Sequence, residues 1–144
     1  MKKEEIIQDI KHRLGNDIID FNDRSERRVY ITIRKTVLLD LAKHLFSVIQ
    51  ARLCTLTGVD TRQGIEILYH FSIDELGLII SLRVILDKPN PEIDTLTSLI
   101  KGAEWIEREV HEFLGVNFKG HPDLRHLLLK DDWPEGDYPL RRDR

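Results

Sequence analysis

Residues Ile65–Ile73 carry the clearest alternation in the chain: Ile65, Ile67, Tyr69, Phe71 and Ile73 fall on one face, and Glu66, His70 and Ser72 are expected to face water. A two-residue period is that of a half-buried strand, so the chain is committed to a sheet with one face closed by other elements. The next run, Gly77–Asp87, is more continuously apolar and reads as a strand nearer the middle of that sheet.

The rest of the N-terminal part supplies what such a sheet needs. Lys3–Leu14 places Ile6, Ile7, Ile10 and Leu14 at helical spacing with Gly15 beyond, an amphipathic helix. Asp17–Phe21 and Arg28–Arg34 read as a hairpin across a polar turn, the second strand alternating Val29, Ile31 and Ile33 with Tyr30, Thr32 and Arg34. Lys35–Gln50 changes to a helical stripe of Leu38, Leu41, Ala42, Leu45 and Ile49, with Thr36 as its expected N-cap and His44 an ordinary surface histidine. Arg52–Val59 is a further strand, in which the solitary Cys54 reads as a small buried hydrophobe.

The order helix, two strands, helix, three strands predicts an α+β two-layer sandwich, its five-stranded sheet mostly antiparallel or mixed, followed by a C-terminal helix and an extended arm. By this reading residues 1–87 are the sandwich, 88–104 a hinge with a short helical turn that Asp94 or Thr95 caps, and 105–144 the helix and arm, one structural domain overall.

Composition excludes several classes. Charged residues make up 33% and the hydrophobic set 41%, which is neither disordered nor membrane-like, and no apolar run approaches a transmembrane length. With 22 basic against 25 acidic residues the net charge is −3, and no basic run is present to neutralise phosphates, so nucleic acid is not an expected partner. One cysteine cannot build a disulfide, a cysteine-held zinc site or an iron-sulfur site within the chain. The N-terminus lacks an apolar signal core, which leads to the expectation of a cytoplasmic protein.

The last segment is of another kind. Trp105–Gly115 is a short helix with Ile106, Val110, Phe113 and Leu114 on its apolar face. From Val116 onward there is no period, three prolines interrupt the chain, and yet Phe118, Leu124, Leu127, Leu128, Leu129, Trp133, Tyr138 and Leu140 are all large and apolar. Such a segment is either wrapped over its own domain or laid against another protein, and the density of anchors favours the second.

Chemistry is hard to build from these residues. His111, Glu112, His121, Asp123 and His126 are metal-ligand types, but the zincin spacing fails because position 115 is Gly, and His121 and His126 lie in a stretch without a period. Glu107 and Glu109 flank Arg108 and point apart on a helix; Glu104–Arg108 and Arg108–Glu112 are better read as four-residue ion pairs. No nucleophile elbow, phosphate loop or dinucleotide fingerprint is present.

Three runs carry a resemblance: Trp105-x-Glu-Arg-Glu-Val-x-Glu-Phe-Leu-Gly115, Phe118-x-Gly-His-Pro-Asp-Leu-Arg125, and Asp132-Trp-Pro-Glu-Gly136 leading to Pro139-Leu-Arg-Arg-Asp143. Together they resemble the 30 kDa or C subunit of respiratory complex I and its hydrogenase relatives. The resemblance implies a non-catalytic accessory subunit in the hydrophilic arm of a membrane-bound redox complex, with no cofactor of its own. It would sit on the cytoplasmic, inner face of the cell membrane and dock on the large catalytic D-type subunit beside an iron-sulfur subunit. Iron-sulfur clusters and a nickel-iron site or quinone would belong to the partners. Glu107, Arg108, Glu109, Glu112, Gly115, Gly120, His121, Pro122, Asp123, Leu124 and Arg125 fall on the signature, with structural roles: Gly120 and Pro122 turn the chain, and Asp123 and Arg125 pair or cap. Trp105, Trp133, Tyr138 and Arg141 join them as the implied partner interface.

Complex I members usually carry a Gly-Phe-Glu-Gly-His-Pro-type run and a longer tail, whereas this chain reads Asp131-Asp-Trp-Pro-Glu-Gly136 and stops at Arg144. That version resembles the energy-converting nickel-iron hydrogenase branch, where the subunit supports assembly of the electron-transfer module. A C subunit of a complex I-type NADH/quinone oxidoreductase is the alternative, and a free-standing metal-dependent hydrolase using His111, His121 and Asp123 a distant one.

Overall fold

The computed structural model describes residues 1–142. Its elements in chain order are α1 (Lys3–Leu14), β1 (Ile18–Ser25), β2 (Arg28–Ile33), α2 (Leu38–Ser47), β3 (Arg52–Asp60), β4 (Ile65–Ile73), β5 (Leu78–Leu86), β6 (Glu92–Asp94), α3 (Ala103–Leu114) and β7 (Asn117–Lys119). Five strands form one sheet in the order β1-β2-β5-β4-β3, and β6 and β7 form a second, two-stranded one.

The α+β class and the mixed sheet agree with the sequence. β1 and β2 are an antiparallel hairpin, and β2 runs parallel to β5. The four-residue links after β3 and β4 are too short for a parallel crossover, so β3, β4 and β5 run antiparallel in turn. β5, the most continuously apolar strand, is central, with Leu78, Ile80, Leu82 and Val84 wholly buried.

The chain divides into two compact units, Met1–Cys54 with Leu68–Val84, and Thr55–Ile67 with Ile85–Arg144. The unit boundaries fall elsewhere than at residues 87 and 104, because β3, β4 and β5 each give residues to both units.

In the first unit Ile6, Ile7, Ile10 and Leu14 of α1 and Leu38, Leu41, Ala42 and Leu45 of α2 are buried, as are Val29, Ile31 and Ile33 of β2. Thr36 does not cap α2: residues Lys35–Val37 first wind a 3-10 turn, which moves the helix start past the reach of its hydroxyl. The helix ends at Ser47, short of Gln50, where Gln50 takes φ 63° and the Ala51 amide donates back to the Leu45 carbonyl at 2.8 Å.

His44 is not a surface residue. It is 7% exposed and its Nε2 lies 2.5 Å from Asp9 Oδ2, a polar bond between α1 and α2 that spacing within one helix cannot reveal. The polar face of β4 is likewise less open than expected: Ser72 is buried and donates to Asp74, and His70 bonds Ser81 Oγ of β5 at 2.7 Å. The neighbouring strand supplies His70 with a partner that alternation along one strand does not show, and the turn after β4 supplies one for Ser72. Cys54 is only half-buried, on the edge strand β3.

In the second unit, residues 88–104 are more structured than a hinge. They contain β6, and β7 lies in what the sequence presents as a stretch without a period; the two pair in parallel, with α3 as the crossover. Each has a single buried apolar residue, Ile93 and Phe118, which is too little for a period to register. Thr95 does cap the turn at 96–100, its Oγ accepting the Thr97 amide.

Candidate functional site

The site is α3 and the chain that follows it. Ala103, Glu107, Val110 and Leu114 recur at helical spacing and are the buried stripe, while Ile106 and Phe113, expected to join Val110 and Leu114, are half-buried. The stripe is turned toward Ala103 because the helix rests on Gly58 of β3: a Cβ there would lie 2.5 Å from Leu114 Cδ1 and 3.4 Å from Val110 Cγ1. Gly58 is a positioning residue that its sequence context does not mark.

Glu107 lies in the middle of this stripe and is wholly buried. Its carboxyl meets Thr95 Oγ at 2.5 Å and accepts the Leu96 amide at 2.8 Å, tying α3 to the loop after β6. Burial raises its affinity for a proton, and the bonds from Leu96 and Thr95 and the nearby His121 only partly oppose this.

Glu112 is nearly opposite on the helix and would face water, yet it is 3% exposed, because the arm lies across it. Its carboxylate accepts the amides of Leu127, Leu128 and Leu129 at 2.9, 2.9 and 3.0 Å and meets His126 Nδ1 at 3.1 Å. Burial would raise its proton affinity, but the three amides and His126 outweigh that and lower it. The expected Glu104–Arg108–Glu112 ion pairs are not formed: with Glu112 taken up by amides, Arg108 donates to the carbonyls of Arg125 at 3.1 Å and His126 at 2.8 Å.

The arm thus follows α3 turn by turn. His121 bonds the Glu104 carbonyl at 2.8 Å, Arg108 holds residues 125 and 126, and Glu112 holds 127–129. Gly120 and Pro122 sit in the turn that starts this run, Leu124 is half-buried within it, and Asp123 pairs with Arg125, both bonds 2.8 Å long. That pairing holds the Asp123 carboxyl well below the usual carboxylate range.

The chain then returns to the end of the helix. The Leu140 amide donates to the Phe113 carbonyl at 3.0 Å and Arg141 Nε to the Leu114 carbonyl at 2.6 Å, satisfying acceptors that a helix end leaves open and placing a cation at its negative pole. The Arg142 amide reaches Asp60 Oδ2 at 2.7 Å, and Lys88 Nζ is 2.6 Å from Oδ1 of the same carboxylate. Trp133 is half-buried, its indole donating to the Asp137 carbonyl within the arm at 2.7 Å. The arm is therefore laid on its own unit, the reading the sequence disfavoured, because α3 offers partners for its backbone as well as surface for its apolar side chains.

Gly115 is where helix and returning arm meet most closely. It takes φ +77°, and a Cβ would lie 2.5 to 2.8 Å from the Tyr138 ring. Gly115→Ala should destabilise the chain by about 2 kcal/mol or more through strain and displacement of Tyr138. Urea unfolding measures this, and an unchanged midpoint would show that Tyr138 moves aside freely.

The remaining signature residues face out. Trp105 is 65% exposed, and Glu109 and Pro122 are exposed. The histidines are engaged separately, His111 with the Val116 carbonyl, His121 with that of Glu104 and His126 with Glu112, and no group of three or more His, Cys, Asp or Glu able to hold a metal occurs among the described residues. No helix among them is long and apolar enough to cross a membrane.

Residues 31–144 match the family model for the respiratory-chain NADH dehydrogenase 30 kDa subunit. The chain belongs to this family. Among relatives of this 30 kDa-type subunit, the C subunit of the F420H2 dehydrogenase of Methanosarcina mazei is 31% identical over 141 residues, which is 96% of this chain and 89% of the relative. The C/D subunit of the NADH-quinone oxidoreductase of Phocaeicola vulgatus is 39% identical over 92 residues, covering 62% of this chain and 17% of that longer one. A chain in the structure of the membrane-bound sulfane sulfur reductase, an archaeal respiratory membrane complex, superposes with a TM-score of 0.83 at 27% identity, covering 97% of this chain and 84% of that one.

Proposed function

We propose that this chain is a non-catalytic accessory subunit of a membrane-bound respiratory complex, that it docks on the large D-type subunit, and that it supports assembly of the electron-transfer module. The observation that carries the reading is the use made of the signature carboxylates. Glu107 is taken up by a threonine and one amide and Glu112 by three amides and a histidine, so both serve to build a rigid helix-and-arm surface and neither is left to act on a substrate. Membership of the 30 kDa family, and a relative in which C and D are one polypeptide, support the choice of partner.

In this reading the chain holds no cofactor, iron-sulfur clusters lie in partner subunits, and the chain is peripheral on the inner face of the membrane. The Asp131–Gly136 run supports a nickel-iron hydrogenase-type complex. A quinone reductase is the second reading, favoured by the NADH-quinone oxidoreductase name of the C/D relative.

Tagging the chain in its native host, solubilising membranes gently and identifying what co-purifies tests both. A large subunit with nickel and hydrogen evolution is the expected result. Quinone reduction without nickel would select the second reading, and recovery of the chain alone would overturn the accessory-subunit function.

A further inference from the structure

We infer that the stripe formed by Trp105, Glu109 and Leu128, widened by the half-buried Ile106 and Phe113, is where the large subunit docks, and that the partner presents an arginine or lysine between two apolar patches. The inference rests on the function proposed above and names the surface that performs it.

The stripe follows from the two faces of α3 that are already occupied. Ala103, Glu107, Val110 and Leu114 are buried in the unit, and the flank with Arg108 and Glu112 is covered by residues 125–129. At 3.6 residues per turn, Trp105 and Glu109 lie one above the other on what remains. Leu128, held to Glu112 by its amide, stands on the arm beside the next turn. Trp105 and Leu128 are each 65% exposed.

An indole left this open is characteristic of interface anchors, and Leu128, fixed by its backbone bond and exposed, adds apolar surface along the same helix. Glu109 is exposed and forms no ion pair among the described residues, although Arg108 is its neighbour, because Arg108 is spent on carbonyls of the arm. An unpaired carboxylate between two apolar anchors selects a cation and rejects an acidic surface. With the large subunit as the partner proposed above, the occupant is a D-type surface with one basic residue at its centre.

Affinity purification of the membrane complex through a tag on this chain tests the assignment, with wild type compared with Trp105→Ala, Glu109→Arg and, as a control in the β1–β2 turn, Glu26→Arg. Wild type and Glu26→Arg should retain the large subunit. Trp105→Ala and Glu109→Arg should each lower its recovery by about tenfold or more, as loss of a central anchor or reversal of a central charge does. Full recovery with both stripe variants would overturn the stripe while leaving the accessory function intact. Equal loss with Glu26→Arg would also overturn it, since any charge reversal would then suffice. Wild type recovered without a large subunit would overturn the function itself, and the stripe with it.

Discussion

Glu112→Ala should free residues 125–129 from α3 while leaving the first unit folded. In the native chain one carboxylate, 3% exposed, accepts three consecutive amides and a histidine nitrogen, and alanine offers these donors nothing. Hydrogen bonds to a charged group each contribute about 1.5–3 kcal/mol net, but the released segment regains water, so a total loss of about 3 kcal/mol is expected, less than the sum of the bonds. Amide hydrogen exchange at Leu127, Leu128 and Leu129 measures the change directly, and tryptic cleavage after Arg125 and Lys130 should accelerate with it. Unchanged protection would mean that Arg108, through its bonds to the Arg125 and His126 carbonyls, holds the arm without Glu112. Acid should reproduce the effect. The proton affinity of Glu112 is lowered in the folded chain, so its contribution is complete above the ordinary carboxylate value of about 4.3 and is lost as pH falls through the lower, folded one. The arm of the wild type should loosen below about pH 4, and that of Glu112→Ala should show no such transition.

The residues that hold the arm explain why the sequence reveals it only in part. Alternation in Ile65–Ile73 and the apolar run of β5 identify the sheet, because in a strand the period itself records which side is closed. Glu112 gives no such sign. By helical spacing it belongs to the water-facing side, and it is buried by a segment that has no period of its own, so only the resemblance of the whole motif marks it. Asp60 and Gly58 are a step further removed: one lies where β3 meets a turn and the other inside a strand, and each matters for what reaches it from much later in the chain, the Arg142 amide and Leu114. His44 and Asp9 are the same case between two helices. Local pattern reports which face of an element is apolar, whereas burial of a polar residue by another helix or by a returning irregular segment depends on partners far apart in sequence.

Glu107 separates charge from shape. The Thr95 hydroxyl has one proton and two acceptors within reach, Glu107 Oε1 at 2.5 Å and Thr97 Oγ at 2.9 Å. If Glu107 is ionised, Thr95 gives that proton to it and accepts one from the Thr97 hydroxyl; if Glu107 is protonated, it donates to Thr95, which donates to Thr97, and in both forms the Leu96 amide has its acceptor. The bonds accommodate both forms, and burial is what raises the proton affinity of the group. A carboxyl whose folded value is raised stabilises most fully below its unfolded value, and that contribution is lost as pH rises through the folded one. Glu107→Gln presents a donor and an acceptor at every pH, so it should fold like the wild type in mild acid and be more stable than it at neutral and alkaline pH. Glu107→Ala leaves the Leu96 amide without its acceptor beside a cavity, with only Thr97 left to the Thr95 hydroxyl, and should cost about 3 kcal/mol. Urea unfolding of the three chains across pH decides the matter. If Gln lost as much as Ala, the ionised carboxylate rather than its shape would be holding α3 to the β6 loop, and a protonated Glu107 would be ruled out.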